Sequence, residues 1–215
     1  MPRKGYSLQE RDRIREALLN EGQRVLSRKG FKATTLDEVF EAVGISKTFF
    51  YKFFSSKEQF AREVVVHQQP LFVDFLQTTM SRKDGGAFAQ RLKRFYLDIC
   101  DSKSGFFVPT VPDFQSMRKR ATIDEQCLYR ECLRSYGADL MKVLGIPADA
   151  IESSIFFNLF MQPILVKASM GGINGLCEPL SHVDQFNCVI EVISDFFIKR
   201  GASVTESQAV VESSK

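Results

Sequence analysis

The sequence predicts an all-α chain, and three observations predict it. Apolar residues recur at three- and four-residue spacing through most of the length. Several of these runs begin at a Ser or Thr followed three residues later by Glu or Asp, the pattern with which a side chain satisfies the free backbone donors of a helix start. Glycine or proline ends most of them. Hydrophobic residues make up 44% of the 215 residues, enough for a substantial core, and the length admits one large domain or two small ones.

Taken in order, Ser7 with Glu10 opens the first helix, Ile14, Leu18 and Val25 mark its inner face, and Gly30 ends it. Thr35 with Glu38 opens the second, in which Val39 and Val43 share a face. Gly44 follows where a left-handed residue is needed, Ile45 plugs the gap beneath the turn, and Ser46 caps a third helix. There Phe50, Phe53 and Phe54 form the underside. At about 100° per residue Thr48 and Lys52 point farthest from it, with Phe49 and Tyr51 on the flanks. Two short helices about a glycine turn have the shape of a helix-turn-helix. The exposed hydroxyl, cation, phenol and ring suit phosphates, base edges and thymine methyls.

Ser55 with Glu58 opens a fourth helix, which carries Phe60, Val64 and His67 until Pro70. Lys57 lies in its first turn, where the helix dipole gains nothing from a cation unless a phosphate approaches. Residues 71–80 and 87–100 read as helices. Lys103 to Pro112 reads as a loop whose Phe106-Phe107-Val108 packs inward. Asp113 to Val143 reads as helical, with a break near Ala121-Thr122 or Gly137, and Arg118-Lys119-Arg120 as a solvated face. Residues 149–170 are apolar almost all round, hence buried on all sides, with a kink expected at Pro163. Residues 182–200 carry Phe186, Val189, Ile190, Ile193, Phe196 and Phe197 at helical spacing, opened by Ser181 with Asp184 and closed by Lys199-Arg200-Gly201. Residues 202–215 are small and polar and read as a disordered tail.

Charge is uneven. Residues 1–60 hold twelve Lys/Arg and eight Asp/Glu, and residues 61–215 hold seventeen and eighteen, so the basic excess sits with the helix-turn-helix. The N-terminus has no apolar run and reads as no signal peptide, and no stretch is long and apolar enough to suggest a membrane span. The five cysteines, Cys100, Cys127, Cys132, Cys177 and Cys188, are odd in number and unlike a zinc site in spacing. They read as free buried thiols in a reducing cytosol, with no metal and no cofactor expected. The two histidines, His67 and His182, neighbour no group at a catalytic spacing, which argues against an enzyme.

From Gly30-Phe31 through Thr34-Thr35, Gly44-Ile45-Ser46-Lys47, Phe50-Tyr51, Phe53-Phe54 and Ser56-Lys57-Glu58, the chain resembles the tetracycline-repressor (TetR) family of bacterial transcription regulators. The resemblance implies a three-helix DNA-binding domain at residues 1–54, a ligand-binding and dimerisation domain at 55–201, and a tail at 202–215. It implies phosphate contacts from Thr35 and Lys57, a base-reading end at Lys47, Thr48 and Phe49, and a backbone contact from Tyr51, with Lys52 and Phe53 beside it and Ser46 among the DNA-binding residues. Arg3 and Lys4 form a basic arm suited to the minor groove or to phosphate. This sequence departs from the family's usual small residues at Phe40, Thr48 and Phe49.

In the resembled family the last two helices pair with a second copy in a four-helix bundle. That places Ile155, Leu159, Phe186, Ile190, Ile193 and Phe197 at a homodimer interface. The segments around the family's ligand cavity carry His67, Tyr96, Cys100, Phe106, Tyr129 and Phe160. The function implied is a cytoplasmic bacterial repressor, released from palindromic double-stranded operator DNA by a small hydrophobic or aromatic effector. The alternatives are a DNA-binding regulator controlled by a protein partner and, remotely, an all-helical enzyme.

Overall fold

A computed structural model describes residues 6–82, 86–101, 104–169 and 182–203. Those residues form helices and connecting turns, with no strand among them. In chain order the helices are α1 (Leu8–Ala33), α2 (Leu36–Val43), α3 (Lys47–Phe50), α4 (Lys57–His67), α5 (Gln69–Met80), α6 (Phe88–Ile99), α7 (Val111–Lys119), α8 (Ile123–Val143), α9 (Ser153–Ser169) and α10 (His182–Ile198). Arg3, Lys4, Cys177 and the cap expected at Ser181 lie outside the described residues.

The contacts group the chain into two units. One comprises Met1–Gln68 with Ser102–Gln126, and the other Gln69–Asp101 with Cys127–Lys215. This grouping runs differently from a partition at residue 54, and the reason is apolar packing. Helix α4 contributes Phe60, Ala61 and Val64 to the same core as Leu18, Val25 and Leu26 of α1, Val39 and Phe40 of α2, and Phe50 and Phe54. Phe107 and Met117, from far along the chain, complete that core, so the inward packing expected of residues 106–108 is met by Phe107.

Polar contacts hold the later segment in place. Gln68 donates from Nε2 to the Phe107 carbonyl at 2.7 Å and accepts the Phe107 amide at Oε1 at 3.0 Å. The buried Arg62 guanidinium donates to the Met117 carbonyl at 2.5 Å and pairs with Glu125 at 3.1 Å. Gln23 Nε2 reaches the Gly105 carbonyl at 3.1 Å. A buried cation costs free energy unless paired, and the two partners of Arg62 meet that requirement.

Several helix ends differ from expectation in detail. Ser7 and Glu10 make the expected reciprocal cap, at 2.7 and 3.2 Å. The regular helical backbone of α1 breaks at Gly30, as expected (φ 74°, ψ 169°), and a short turn to Ala33 follows the kink. Thr35 makes no side-chain cap. Its hydroxyl donates instead to the Glu38 carboxylate at 3.0 Å, which also holds Lys29 at 2.6 Å. The fourth helix is capped by Ser56, one residue later than expected, through the Gln59 amide at 3.0 Å. Ser55 is displaced outward, where its amide and hydroxyl both donate to Gln59 Oε1. The break between α7 and α8 falls at residues 120–122.

The second unit is built round rings. Phe72, Phe95, Tyr96, Phe156, Phe160 and Phe197 are all buried. Phe95 lies 5.7 Å from Phe160, and Phe156 lies 4.8 Å from Phe197. Gly137, considered as a break, lies inside α8 for a packing reason: a Cβ there would sit 2.3 Å from the Ser153 carbonyl oxygen at the start of α9. Backbone cannot swing aside as a side-chain tip can, so Gly137→Ala is expected to destabilise the protein. Overpacking of about 1–3 kcal/mol exceeds much of the helix-propensity gain of about 1 kcal/mol. A denaturation midpoint equal to or above wild type would show that the two helices can part freely.

At the C-terminal end, Ala202 is buried and the Ser203 amide donates to the Leu144 carbonyl at 3.1 Å. The first two residues of the expected tail therefore pack against the chain. The described cysteines are free, but the expectation that they are buried needs correction: Cys127 and Cys188 are exposed, and Cys100 and Cys132 are partly covered. No described helix is long and apolar enough to cross a membrane.

Candidate nucleic-acid interface

The helix-turn-helix is assembled from its turn. Gly44 ends α2 in the left-handed conformation (φ 76°, ψ 29°), and its amide reaches back to the Glu41 carbonyl at 3.0 Å. A β-carbon in that conformation costs free energy that glycine avoids. Ile45 is half-buried against the core. Ser46 Oγ then accepts the Phe49 amide at 3.2 Å and starts α3. The regular helix is one turn long, and bonds from Lys52 to Phe49 and from Phe54 to Phe50 carry the turning backbone on to Phe54.

What fixes this short helix is its underside. Phe50 and Phe54 are fully buried, their ring centroids 5.3 Å apart and each close to Phe60 of α4, at 5.3 and 4.9 Å. Phe40 is buried too, 6.1 Å from Phe50, so the large residue at this position is absorbed into the core. Each such ring contributes about 1.5–3 kcal/mol relative to exposure. A helix too short to persist alone is thus held by its packing.

The opposite side is open. Lys47, Thr48, Tyr51 and Lys52 are exposed. Phe53, expected on the underside, is only half-buried. Its ring meets the edge of Phe49 at 5.2 Å and carries the Arg11 guanidinium 5.8 Å from its centroid. Phe49 is half-buried as well, with Tyr6 at 4.7 Å and the Lys52 ammonium at 5.6 Å. Sequence reasoning missed Tyr6 and Arg11. The available signal was an aromatic residue immediately before a capping serine, a position that often packs back onto the structure.

The two residues expected to flank the groove are engaged within the chain. The Lys57 ammonium lies 4.7 Å from the Phe31 ring centroid and 3.5 Å from the Lys32 carbonyl. Partial burial lowers its pKa from the ordinary lysine value. An approaching phosphate would favour its charged form and supply a stronger acceptor. Thr35 is exposed, tied to Glu38, whose pKa is lowered by the Lys29 ammonium and the Thr35 hydroxyl.

The residues expected to line a ligand cavity do not fall in one unit. His67 and Phe106 belong to the first; Tyr96, Cys100, Tyr129 and Phe160 belong to the second. His67 shares a hydrogen bond with Asn20 at 2.8 Å. Tyr96 is fully buried, its hydroxyl donating to the Phe160 carbonyl at 2.8 Å, and burial raises its pKa well above the usual value. Burial also raises the Cys100 thiol to about 11, so it is neutral at physiological pH. Tyr96 and Phe160 are therefore occupied in a close-packed core.

The expected interface residues divide as well. Ile155 is 54% exposed and Leu159 partly covered. Phe186, Ile190, Ile193 and Phe197 are buried within their own chain. The outward side of α10 instead shows Val192, 69% exposed, between Glu191 and the neighbouring turns. The helical repeat correctly marked one buried face, but a repeat carries no information about which partner covers it.

This geometry has counterparts among known proteins. Residues 18–64 match the family described as bacterial regulatory proteins, tetR family. No curated protein matches the sequence. Among solved structures, the fold is similar to a TetR-family transcriptional regulator from Pectobacterium atrosepticum, with 14% identity, covering 93% of this chain and 100% of that one, at a TM-score of 0.55. A TetR-family regulator from Cytophaga hutchinsonii gives 17% identity, 93% and 100% coverage and a TM-score of 0.55. The reduced form of NemR from E. coli gives 16% identity, 89% and 99% coverage and a TM-score of 0.50. These likenesses concern the fold, whereas the match at residues 18–64 covers α2, α3 and most of α1 and α4. Residues 18–64 are thus similar to the N-terminal domain of the bacterial regulatory proteins, tetR family.

Proposed function

We propose that this protein is a transcriptional repressor that binds palindromic operator DNA as a homodimer and is released by a small hydrophobic or aromatic effector. One observation carries the DNA-binding part. A capped helix, locked from below by Phe50 and Phe54, presents Lys47, Thr48, Tyr51 and Lys52 outward within the segment that matches the family. Phe49 completes the base-reading end, Ser46 adds a DNA contact at its start, Phe53 stands beside it, and Thr35 and Lys57 take the flanking phosphates, with Arg3 and Lys4 as an additional arm. Residues 1–54 are assigned as the reading head, whose core α4 helps to build, and the sensing and dimerising body lies within 55–201.

The effector reading rests on the aromatic character of the second unit. Because Tyr96 and Phe160 pack closely, an effector meeting them has to part the rings. It releases DNA only insofar as it favours that rearranged state over the DNA-bound one. Control by a protein partner remains the alternative for an unparted core. Dimerisation uses the outward residues Ile155, Leu159 and Val192. Two heads related by the dimer axis then meet half-sites about one helical turn apart.

Binding to duplexes selected from a random pool is expected to weaken steeply with salt, because each neutralised phosphate releases counterions. Lys57→Ala is expected to lower the slope of log affinity against log salt by about one. Titrations at several ionic strengths read both quantities, and affinity independent of salt would remove the DNA-binding reading.

A further inference from the structure

We propose that Phe49 reads a thymine 5-methyl group in each half-site, and that Tyr6, from the segment preceding α1, is the residue that positions its ring. The proposal rests on the DNA-binding reading above and specifies what that surface selects. The supporting geometry is a small aromatic cluster on the open side of the helix-turn-helix. Phe49 is held by Tyr6 at 4.7 Å with planes 34° apart, and by Phe53 at 5.2 Å edge to face. Two cations bracket the cluster, Lys52 at Phe49 and Arg11 at Phe53. Lys47 and Thr48 stand exposed immediately before Phe49.

The chemistry narrows what such a ring can recognise. A phenyl group has neither donor nor acceptor, so it cannot read the hydrogen-bond code of a base edge. In the major groove the one apolar feature of that code is the thymine methyl. A polar base edge pressed against the ring would lose water without gaining a partner, which penalises other bases at that position. Burying a methyl against the ring is favourable, and a ring already gripped by neighbours loses little freedom on contact. The bracketing ammonium and guanidinium supply charge for nearby phosphates without competing for the methyl.

Tyr6 suits a positioning role. It is 51% exposed, so it contributes little to the core, yet its ring lies against the residue that would touch the base. It lies next to Ser7, whose cap fixes the start of α1, and the position of the tyrosine follows from that anchor.

The test uses the full-length protein and the tightest duplex selected from a random pool, with each thymine replaced in turn by uracil, which lacks only the methyl. At one thymine per half-site, uracil is expected to weaken wild-type binding about three- to fivefold. With Phe49→Ala the thymine and uracil duplexes should bind alike. Tyr6→Ala should bring the ratio towards one, and Tyr6→Phe, which keeps the ring, should preserve it. Equal binding of thymine and uracil duplexes by wild type, with steep salt dependence intact, overturns the methyl reading and leaves DNA binding standing. A ratio unchanged in Tyr6→Ala overturns the positioning role. Failure to select any duplex removes the parent reading and this one together.

Discussion

Phe60→Ala is expected to lower stability by about 3–5 kcal/mol, the range for truncating a fully buried aromatic residue. Phe60 is 1% exposed, and its ring packs against Phe50 and Phe54 while occupying the space above Gly22 of α1. A β-carbon at Gly22 would lie 2.3 Å from the ring tip, which shows how fully the ring fills the gap between α1 and α4. Removing it leaves a gap beside Gly22, Phe50 and Phe54. Because α3 is held by the same rings, the loss should also disorder the reading face. Equilibrium denaturation gives the first quantity and duplex affinity the second. Phe60→Leu should recover most of both, and a loss below about 1 kcal/mol for the alanine variant would contradict the packing described.

The second large effect separates two adjacent residues. Ile193→Glu places a carboxylate where the side chain is 7% exposed. An unpaired buried charge costs several kcal/mol, on the order of 3–5, so this variant should unfold at much lower denaturant. Val192→Glu changes a residue that is 69% exposed and should leave monomer stability almost unchanged, within about 0.5 kcal/mol. If the outward side of α10 meets a second copy, Val192→Glu should shift the mass measured by light scattering towards the monomer. Equal tolerance of both substitutions would mean that the side of α10 turned inward has been misassigned. An undisturbed dimer in Val192→Glu would place the subunit interface elsewhere.

The local devices of this fold were legible because they are written in neighbouring residues. Ser7 with Glu10, Gly44 in its left-handed turn, and Ser46 before its helix all act within one turn of chain. The buried Phe50 and Phe54 and the open Thr48 and Lys52 followed from helical phase alone. Phe53 escaped that phase because the helix relaxes after Phe50, which leaves the ring half-covered. Thr35 and Ser55 show a second limit. Each has a hydroxyl at a plausible capping position, but Glu38 claimed one and Gln59 the other. The remaining gaps are long-range. Nothing near Phe107 or Met117 says that they complete a core with α1 and α4, and the Arg62 pair with Glu125 joins residues that share no local pattern. The repeat in α10 likewise identified a hydrophobic stripe without saying what covers it, and Phe186, Ile190, Ile193 and Phe197 are buried within the chain.

The core that seats the helix-turn-helix is closed by Phe107 and Met117. A ribosome delivers the chain from the N-terminus at roughly 5–20 residues per second. The reading head therefore has all its helices several seconds before it has all its core. Until then the core lacks Phe107 and Met117, and a released fragment ending before Phe107 should be more susceptible to protease than one ending beyond Glu125. Completion of the core beneath the helix-turn-helix is thereby tied to synthesis of a distant segment.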